Sequence, residues 1–335
     1  MAVKVTLSFP FYKSEKFVAR AFDCAINQNY ENLEILIINN GSKDRSSIIL
    51  DTLIKTYHGD KIIRMINVEN NIGLGHARNI AIDEAKGEFI FFMDSDDTIP
   101  QNCIKTLVEV AAQYNPQVVC GAYNKVNEMS DIIETVYPQY ILLSSNEVIM
   151  REFFIHHTLP LPIWNKLYKI DFLRANAIRC NPVHINEDML FSIQVYLLAD
   201  NIAFSGIPTY NYFIYEGSAN EANKDTWSVR YLNQIQDVVK EYKSYLINLS
   251  DETQHEIFSF WMCRYFFYLS AKILRSADLD DQERKKLVRE ILTLPSLPKR
   301  YLITSIKTQG FIWYLLGQLP FSVKYHMIRV YNLLK

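Results

Sequence analysis

Three carboxylates crowd into one short run, Phe91-Phe92-Met93-Asp94-Ser95-Asp96-Asp97. The apolar residues before them read as a buried strand, which puts the acids at its end. In extended backbone, residues two apart share a face, so Asp94 and Asp96 are expected to converge. Gathered carboxylates repel unless a cation neutralises them. A hard divalent ion with oxygen ligands, Mg²⁺ or Mn²⁺, is the natural partner. Such an ion would also bind a diphosphate and stabilise its charge on departure. The alternative is an acidic turn that caps the following helix.

Three other segments carry chemistry. Asn39-Asn40-Gly41-Ser42-Lys43-Asp44 ends an apolar run, and its short polar side chains suit a base or ribose. An ordinary Asn-Gly turn is the competing account. Asn71-Ile72-Gly73-Leu74-Gly75-His76-Ala77-Arg78-Asn79 is glycine-spaced, but Arg78 stands where a dinucleotide fingerprint needs glycine. No GK[ST] follows, so it is no P-loop. Its glycines let a helix start approach a nucleotide, and Arg78 suits an acidic turn or a phosphate. Glu187-Asp188, ahead of Met189-Leu190-Phe191, offers a base or simply an acidic first helical turn. His156-His157 has no third ligand at metal-binding spacing and reads as packing or surface histidines.

These residues need a frame. The first 125 residues alternate between the two patterns. Val3–Phe9, Leu33–Ile38, Lys61–Val68, Phe89–Met93 and Val118–Ala122 are strands; Lys16–Gln28, Ser46–Tyr57 and Gly75–Ala85 are helices. A βαβα order implies an α/β fold, a mostly parallel sheet flanked by helices. Its ligands gather beyond the carboxyl ends of the strands. From Asn124 to Tyr215 the pattern loosens, and from Asp225 onward it is mainly helical. A boundary falls near Ser218–Lys224, giving a catalytic domain over 1–220 and a helical region over 221–335.

Taken in order, the segments resemble the family 2 glycosyltransferases of GT-A (Rossmann-like) fold. The resemblance is dense over the first hundred residues: Val5–Tyr12 with the helix through Gln28-Asn29-Tyr30, then Leu33–Ser46, Asn70–Gly87 and Glu88–Asp97. It resumes at Ile163-Trp164-Asn165-Lys166-Leu167-Tyr168 and at Ile185–Phe191, segments similar to those of bacterial surface-polysaccharide members. It implies inverting transfer of a hexosyl or N-acetylhexosaminyl group from a nucleotide-diphosphate sugar, commonly a UDP-sugar, to a glycan or lipid-linked saccharide acceptor. Asp94 and Asp96 match the DxD motif that holds metal and donor, and Asp97 the acid that often follows. Asp188 of the ED pair matches the catalytic base, with Glu187 orienting the site. Pro10, Tyr12, Asn40, Asp44, Arg78 and Ser95 fall on the donor side, Trp164 and Lys166 on the acceptor side. Lys166 contacts the diphosphate or the Glu187-Asp188 loop, or is simply an exposed lysine. Where the family has Asp-Asp-Gly-Ser, this chain has Asn39-Asn40-Gly41-Ser42, and Asn40 accepts a hydrogen bond only through its uncharged amide oxygen. Tyr210–Ser218 resembles a Y-x-Y…GS segment beside the acceptor cleft, lacking its arginine; packing in a short hairpin explains its aromatics equally well. No QxxRW occurs, against a processive polymerase, and Lys224-Asp225-Thr226-Trp227 is not a substitute. A non-catalytic nucleotide-sugar-binding scaffold of the same fold is the alternative.

Net charge is −2, giving no basic field for nucleic acid. The charge is divided, however. Residues 281–335 hold ten Lys/Arg against three Asp/Glu, or +7, leaving −9 for the rest. Phe311–Leu316 and Phe321–Leu334 interleave aromatic and aliphatic residues with Lys324 and Arg329, as an amphipathic helix on an anionic bilayer does. A helix packed on its own body is the other account. Five scattered cysteines without CxxC fit reduced core thiols. The N-terminus has no apolar leader, so the expected location is cytoplasmic, peripheral at the inner face of the plasma membrane.

Overall fold

The computed structural model describes residues 3–181, 187–215, 229–276, 279–293 and 319–333, the side chains of 229–233 and 333 excepted. Ile185-Asn186, the Glu216–Ser218 end of the tyrosine segment, Lys224–Trp227 and the Phe311–Leu316 run lie outside the described residues, as does the Ser218–Lys224 boundary. The chain divides into two compact units, Met1–Ile149 with His157–Ser218, and Met150–His156 with Ala219–Lys335.

The first unit is built on one sheet. Its opening strands are β1 (Val5–Phe11), β2 (Leu33–Asn40), β3 (Ile62–Val68) and β4 (Phe89–Phe92). They alternate with α1 (Val18–Ile26), α2 (Ser46–Thr56) and α3 (Leu74–Glu84). The four strands pair in parallel in the order β3-β2-β1-β4. Strands β1, β2 and β4 are buried along their whole length, as parallel strands covered on both faces must be. Helix α1 buries Val18, Ala21, Phe22 and Ala25, the i, i+3, i+4, i+7 stripe, against Leu7, Phe9, Ile35 and Ile37. Between β2 and β4 the strand order reverses at β1, the switch point where such sheets open a crevice beyond their carboxyl ends.

Past β4 come α4 (Cys103–Tyr114), β5 (Val118–Val126), β6 (Ile132–Val136), β7 (Leu142–Leu143) and α5 (Asn146–Met150). Then follow β8 (Lys166–Lys169), α6 (Ile170–Ala175), α7 (Glu187–Leu198) and β9 (Ile202–Phe213). Strand β8 wedges antiparallel between β4 and β5, and β9 runs parallel to β5, so the sheet continues β4-β8-β5-β9-β7. Tyr210 therefore lies on a twelve-residue strand paired along β5, not in a short hairpin. The one carboxylate inside an opening strand, Glu34, is fully buried. It is met by Thr6 Oγ1 at 2.8 Å, Lys86 N at 3.0 Å and Arg64 Nη1 at 2.8 Å. Burial pushes its carboxyl up, but these bonds together outweigh it and hold it below the usual range.

The second unit holds α8 (Val229–Asn248), α9 (Glu252–Ile273), α10 (Asp281–Leu292) and α11 (Phe321–Leu333). Asp251 caps α9 by accepting from Gln254 N, and Asp280 with Glu283 forms a capping box on α10. An aromatic cluster ties the pieces: Phe154 against Phe258 and Trp261, and Tyr242 against Trp261. No helix among the described residues is long and apolar enough to cross a membrane. Cys103, Cys120, Cys180 and Cys263 are buried thiols and Cys24 is partly so.

Candidate active site

Strand β4 stops at Phe92, and the acids lie in a turn closed by Asp97 N donating to Asp94 O at 3.2 Å. Asp94 and Asp96 thus converge through a turn, not through strand alternation, because Ser95-Asp96 has left extended backbone. The three acids part company. Asp97 is 2% exposed, and burial drives its carboxyl well above the usual range. Tyr210 Oη donates to it at 2.7 Å and Phe213 N at 2.9 Å. Tyr210 Oη also accepts from Asp94 N at 3.0 Å, so one phenol on β9 fixes both ends of the turn. Asp97 is an anchor with no reach outward.

Asp94 and Asp96 are more open. Arg78, on α3, is 1% exposed. Its Nη2 donates to Asp94 Oδ1 at 2.9 Å and its Nη1 to Asp188 Oδ1 at 2.8 Å. One guanidinium thus joins the acid at the tip of β4 to the acid at the start of α7. Burial disfavours this cation, but Asp188 and Asp94 reverse the balance and raise its pKa. Asp94 keeps 26% of its side chain exposed, yet desolvation is its strongest influence. Arg78 opposes that, Asp96 and Asp188 add to it, and the carboxyl is pushed up to about 6. Burial and the Asp188 charge push the neighbouring Glu187 up to about 7.

Asp96 is held by groups that the sequence gave little reason to single out. Tyr215 Oη donates to its Oδ2, and Arg20 Nη2 donates to its main-chain oxygen. The Arg20 guanidinium lies over the Phe213 ring at 3.9 Å. Ser95 Oγ lies 2.9 Å from Ser14 Oγ, linking the acidic turn to the loop after β1. The remaining carboxylate oxygens of Asp94 and Asp96 carry no protein hydrogen bond among the described residues. Two hard oxygen donors beside a carboxylate destabilised by its neighbours fit Mg²⁺ or Mn²⁺. No group of three or more His, Cys, Asp or Glu among the described residues is placed to hold a metal ion. Further ligands would have to be phosphate and water, which suits Mg²⁺ in particular.

Beyond β1 and β2 the crevice is polar. Pro10 pairs with Ile38 on the β2 side, while β1 is paired to β4 only as far as Ser8. A residue without N–H is tolerated there because no neighbour calls for one. Tyr12, 39% exposed, is the aromatic at the rim. Asn40, only 4% exposed, donates to Asn71 Oδ1 at 3.1 Å and accepts from Ile72 N at 3.0 Å. It therefore laces the loop before α3 to the end of β2. Gly41, at φ +72°, fits under that loop: a Cβ would lie 2.3 Å from Asn70 C. Asp44 accepts from Ser46 Oγ at 2.6 Å, Ser46 N at 3.2 Å and Glu15 N at 3.2 Å, which makes it a helix-start brace.

Across the sheet, Trp164 is 8% exposed and stacks on Tyr210 at 4.6 Å and Tyr212 at 5.4 Å. Lys166 is 2% exposed, which corrects its reading as a surface lysine. Its ammonium bonds to Pro162 O, and burial lowers its pKa to about 8. No Lys166 bond to Glu187 or Asp188 is present among the described residues. Asn165, at φ +59°, donates to Gly121 O and Ala122 O and accepts from Thr209 Oγ1, locking β8 to β5 and β9. On α3, Asn79 both donates to Cys180 O and accepts from Cys180 N at 2.8 Å. Gly75 lets the helix close in, since a Cβ there would lie 2.7 Å from Asn181 O. Helix α3 thus grips the segment that leads to α7 as well as Asp188 itself.

Residues 7–172 match the profile described as Glycosyl transferase family 2. The chain belongs to that family. Among curated relatives, this glycosyltransferase is 27% identical to glycosyltransferase GlyA of Streptococcus pneumoniae, over 73% of the chain and 35% of GlyA. It is 24% identical to the poly(ribitol-phosphate) beta-glucosyltransferase of Bacillus spizizenii, over 91% of the chain and 47% of that protein. It therefore spans less than half the length of either. In fold it is similar to residues 1–349 of S. aureus TarS in complex with UDP, at TM-score 0.72 and 17% identity over 99% of this chain and 92% of that one. TarS has also been solved with UDP-GlcNAc, at TM-score 0.71 and 19% identity over 98% and 89%.

Proposed function

We propose that this enzyme transfers one sugar, with inversion, from a UDP-sugar to an acceptor hydroxyl of a polysaccharide or glycolipid. The observation that carries the reading is the Arg78 bridge, which joins Asp94 and Asp188 through one guanidinium; in this reading the first faces metal and phosphate and the second accepts a proton. The chemistry needs both. An acceptor hydroxyl is a weak nucleophile and must lose its proton as it attacks the anomeric carbon, and the leaving diphosphate must be neutralised.

In this reading Tyr12 stacks on the base, and the main chain around Pro10 and the Asn40-laced loop lines the nucleoside crevice. Asp94 and Asp96 would hold the divalent cation, which supplies charge neutralisation of the departing diphosphate. Asp188 lies at the start of α7 with 27% of its side chain exposed and its Oδ1 2.8 Å from Arg78 Nη1. It takes the acceptor proton while the acceptor oxygen bonds to the anomeric carbon and the bond to phosphate breaks, its electron pair leaving with the nucleoside diphosphate. Glu187, with its raised carboxyl, holds a proton beside that base. The UDP and UDP-GlcNAc complexes of TarS favour a uridine donor.

One observation favours a second reading, a nucleotide-sugar-binding scaffold. The Asn40 amide, which was to accept from the base, already bonds to Asn71 and Ile72. A panel of nucleotide sugars with Mn²⁺, read first by thermal shift and then by donor turnover, separates the two. The enzyme reading predicts that a UDP-sugar raises the melting temperature and is consumed, and that a chelator stops its consumption. Binding without turnover under every donor and acceptor would favour the scaffold, and no shift with any nucleotide would end both.

A further inference from the structure

In the second unit, α9 and α11 lie side by side and run parallel. Lys324 sits within electrostatic reach of Cys263, and eight residues further along each helix Asn332 Nδ2 donates to Ala271 O at 2.8 Å. Between the helices is a cavity of about 340 Å³, lined by Arg264, Phe267, Tyr268 and Ala271 of α9 and by Met327, Ile328 and Tyr331 of α11.

A helix on a soluble body normally hides its apolar stripe and turns polar residues outward. Helix α11 hides Ile328 and Lys324, at 2% and 7% exposed, and presents a second apolar stripe. Val323, Met327, Val330 and Tyr331, spaced i, i+4, i+7, i+8, are each about 40% exposed or more, and Tyr268 of α9 joins them at 53%. The charges around this stripe have one sign. Arg264 lines the cavity, and Lys272 Nζ stands 5.1 Å from the Tyr268 ring centroid. Neither α11 nor α9 from Phe258 onward contains Asp or Glu.

We propose that this face docks on an anionic phospholipid surface, with the apolar stripe entering the acyl boundary and Arg264 and Lys272 meeting head-group phosphates. The cavity takes an acyl chain. A second copy of the chain is a poor occupant, because it would bring the same cations face to face. A nucleic acid has no use for an exposed apolar stripe. The inference rests on the second unit alone and is independent of the donor chemistry.

The test is co-sedimentation of the full chain with vesicles of phosphatidylcholine, with and without phosphatidylglycerol. Binding is expected only with phosphatidylglycerol and is expected to fall as salt rises. Arg264→Gln should weaken it about fivefold. Met327→Glu with Val330→Glu should weaken it at least tenfold, at unchanged circular dichroism and unchanged donor binding. If the double variant fails to fold, Arg264→Gln with Lys272→Gln is expected to reduce binding by more than tenfold. Equal binding to both vesicles, binding to neither, or a dimer by light scattering that Met327→Glu dissociates would overturn the proposal.

Discussion

Replacing Arg78 by lysine isolates the bridge that the account leans on. The guanidinium uses separate nitrogens for Asp94 and Asp188, at 2.9 and 2.8 Å. A lysine ammonium keeps the charge but offers a single nitrogen on a flexible stem. One of the two charge-assisted bonds must then lengthen or break. Each is worth about 1.5–3 kcal/mol, which corresponds to about ten- to a hundredfold in kcat/KM. Arg78→Met goes further. It leaves two carboxylates beside an apolar side chain, a change of the kind that costs about 3–5 kcal/mol in stability. The assay is steady-state transfer on both variants, beside donor titration calorimetry and thermal melting. The lysine form should keep most of its melting temperature and lose turnover; the methionine form should lose both. If Arg78→Lys transfers at the wild-type rate, or loses stability without losing turnover, Arg78 is a core ion pair and the coupling of donor acid to base is wrong.

Two further predictions rest on single groups. Tyr210→Phe deletes the hydroxyl that donates to Asp97 and accepts from Asp94 N, leaving a buried carboxyl one partner short; thermal melting should report a loss of about 1–3 kcal/mol, and calorimetry a weakened donor. Glu187 has its carboxyl raised to about 7 in the folded chain, above the unfolded value near 4.3. Its contribution to stability is therefore fully present below about pH 4.3 and is lost as pH rises through 7. Glu187→Gln should raise the melting temperature relative to the parent at pH 8 and match it at pH 4, and an unchanged difference across that range would contradict the raised pKa.

The fold was legible where one physical rule dominates. Strands β1, β2 and β4 are buried on both faces, so they read as short, mostly apolar runs broken at Thr6, Ser8 and Glu34 and closed by Asn39-Asn40. Helix α1 carries a clear stripe. The site was legible in part, since an acid run at a strand tip can be read without coordinates. What stayed hidden depends on contacts between distant segments. Nothing near Asp97 says that it will be buried under Tyr210, 113 residues on, and nothing near Lys166 says that it will be enclosed. Asn40 and Asp44, with the residue types of a nucleoside site, are drawn into bracing loops because buried backbone N–H groups must find acceptors. Arg78 could be expected to meet an acid; that it meets a second one, 110 residues along the chain, follows only from α3 packing close to residue 181.

The central claim, that Asp188 removes the acceptor proton, is most directly tested by Asp188→Asn. The amide keeps the volume and accepts from Arg78 through its oxygen, so donor affinity measured by calorimetry should remain within a few-fold of the parent. Single-turnover transfer to the acceptor should fall by about a hundredfold or more, the scale of a lost general base. Wild-type single-turnover transfer by the Asp188→Asn protein would contradict the account.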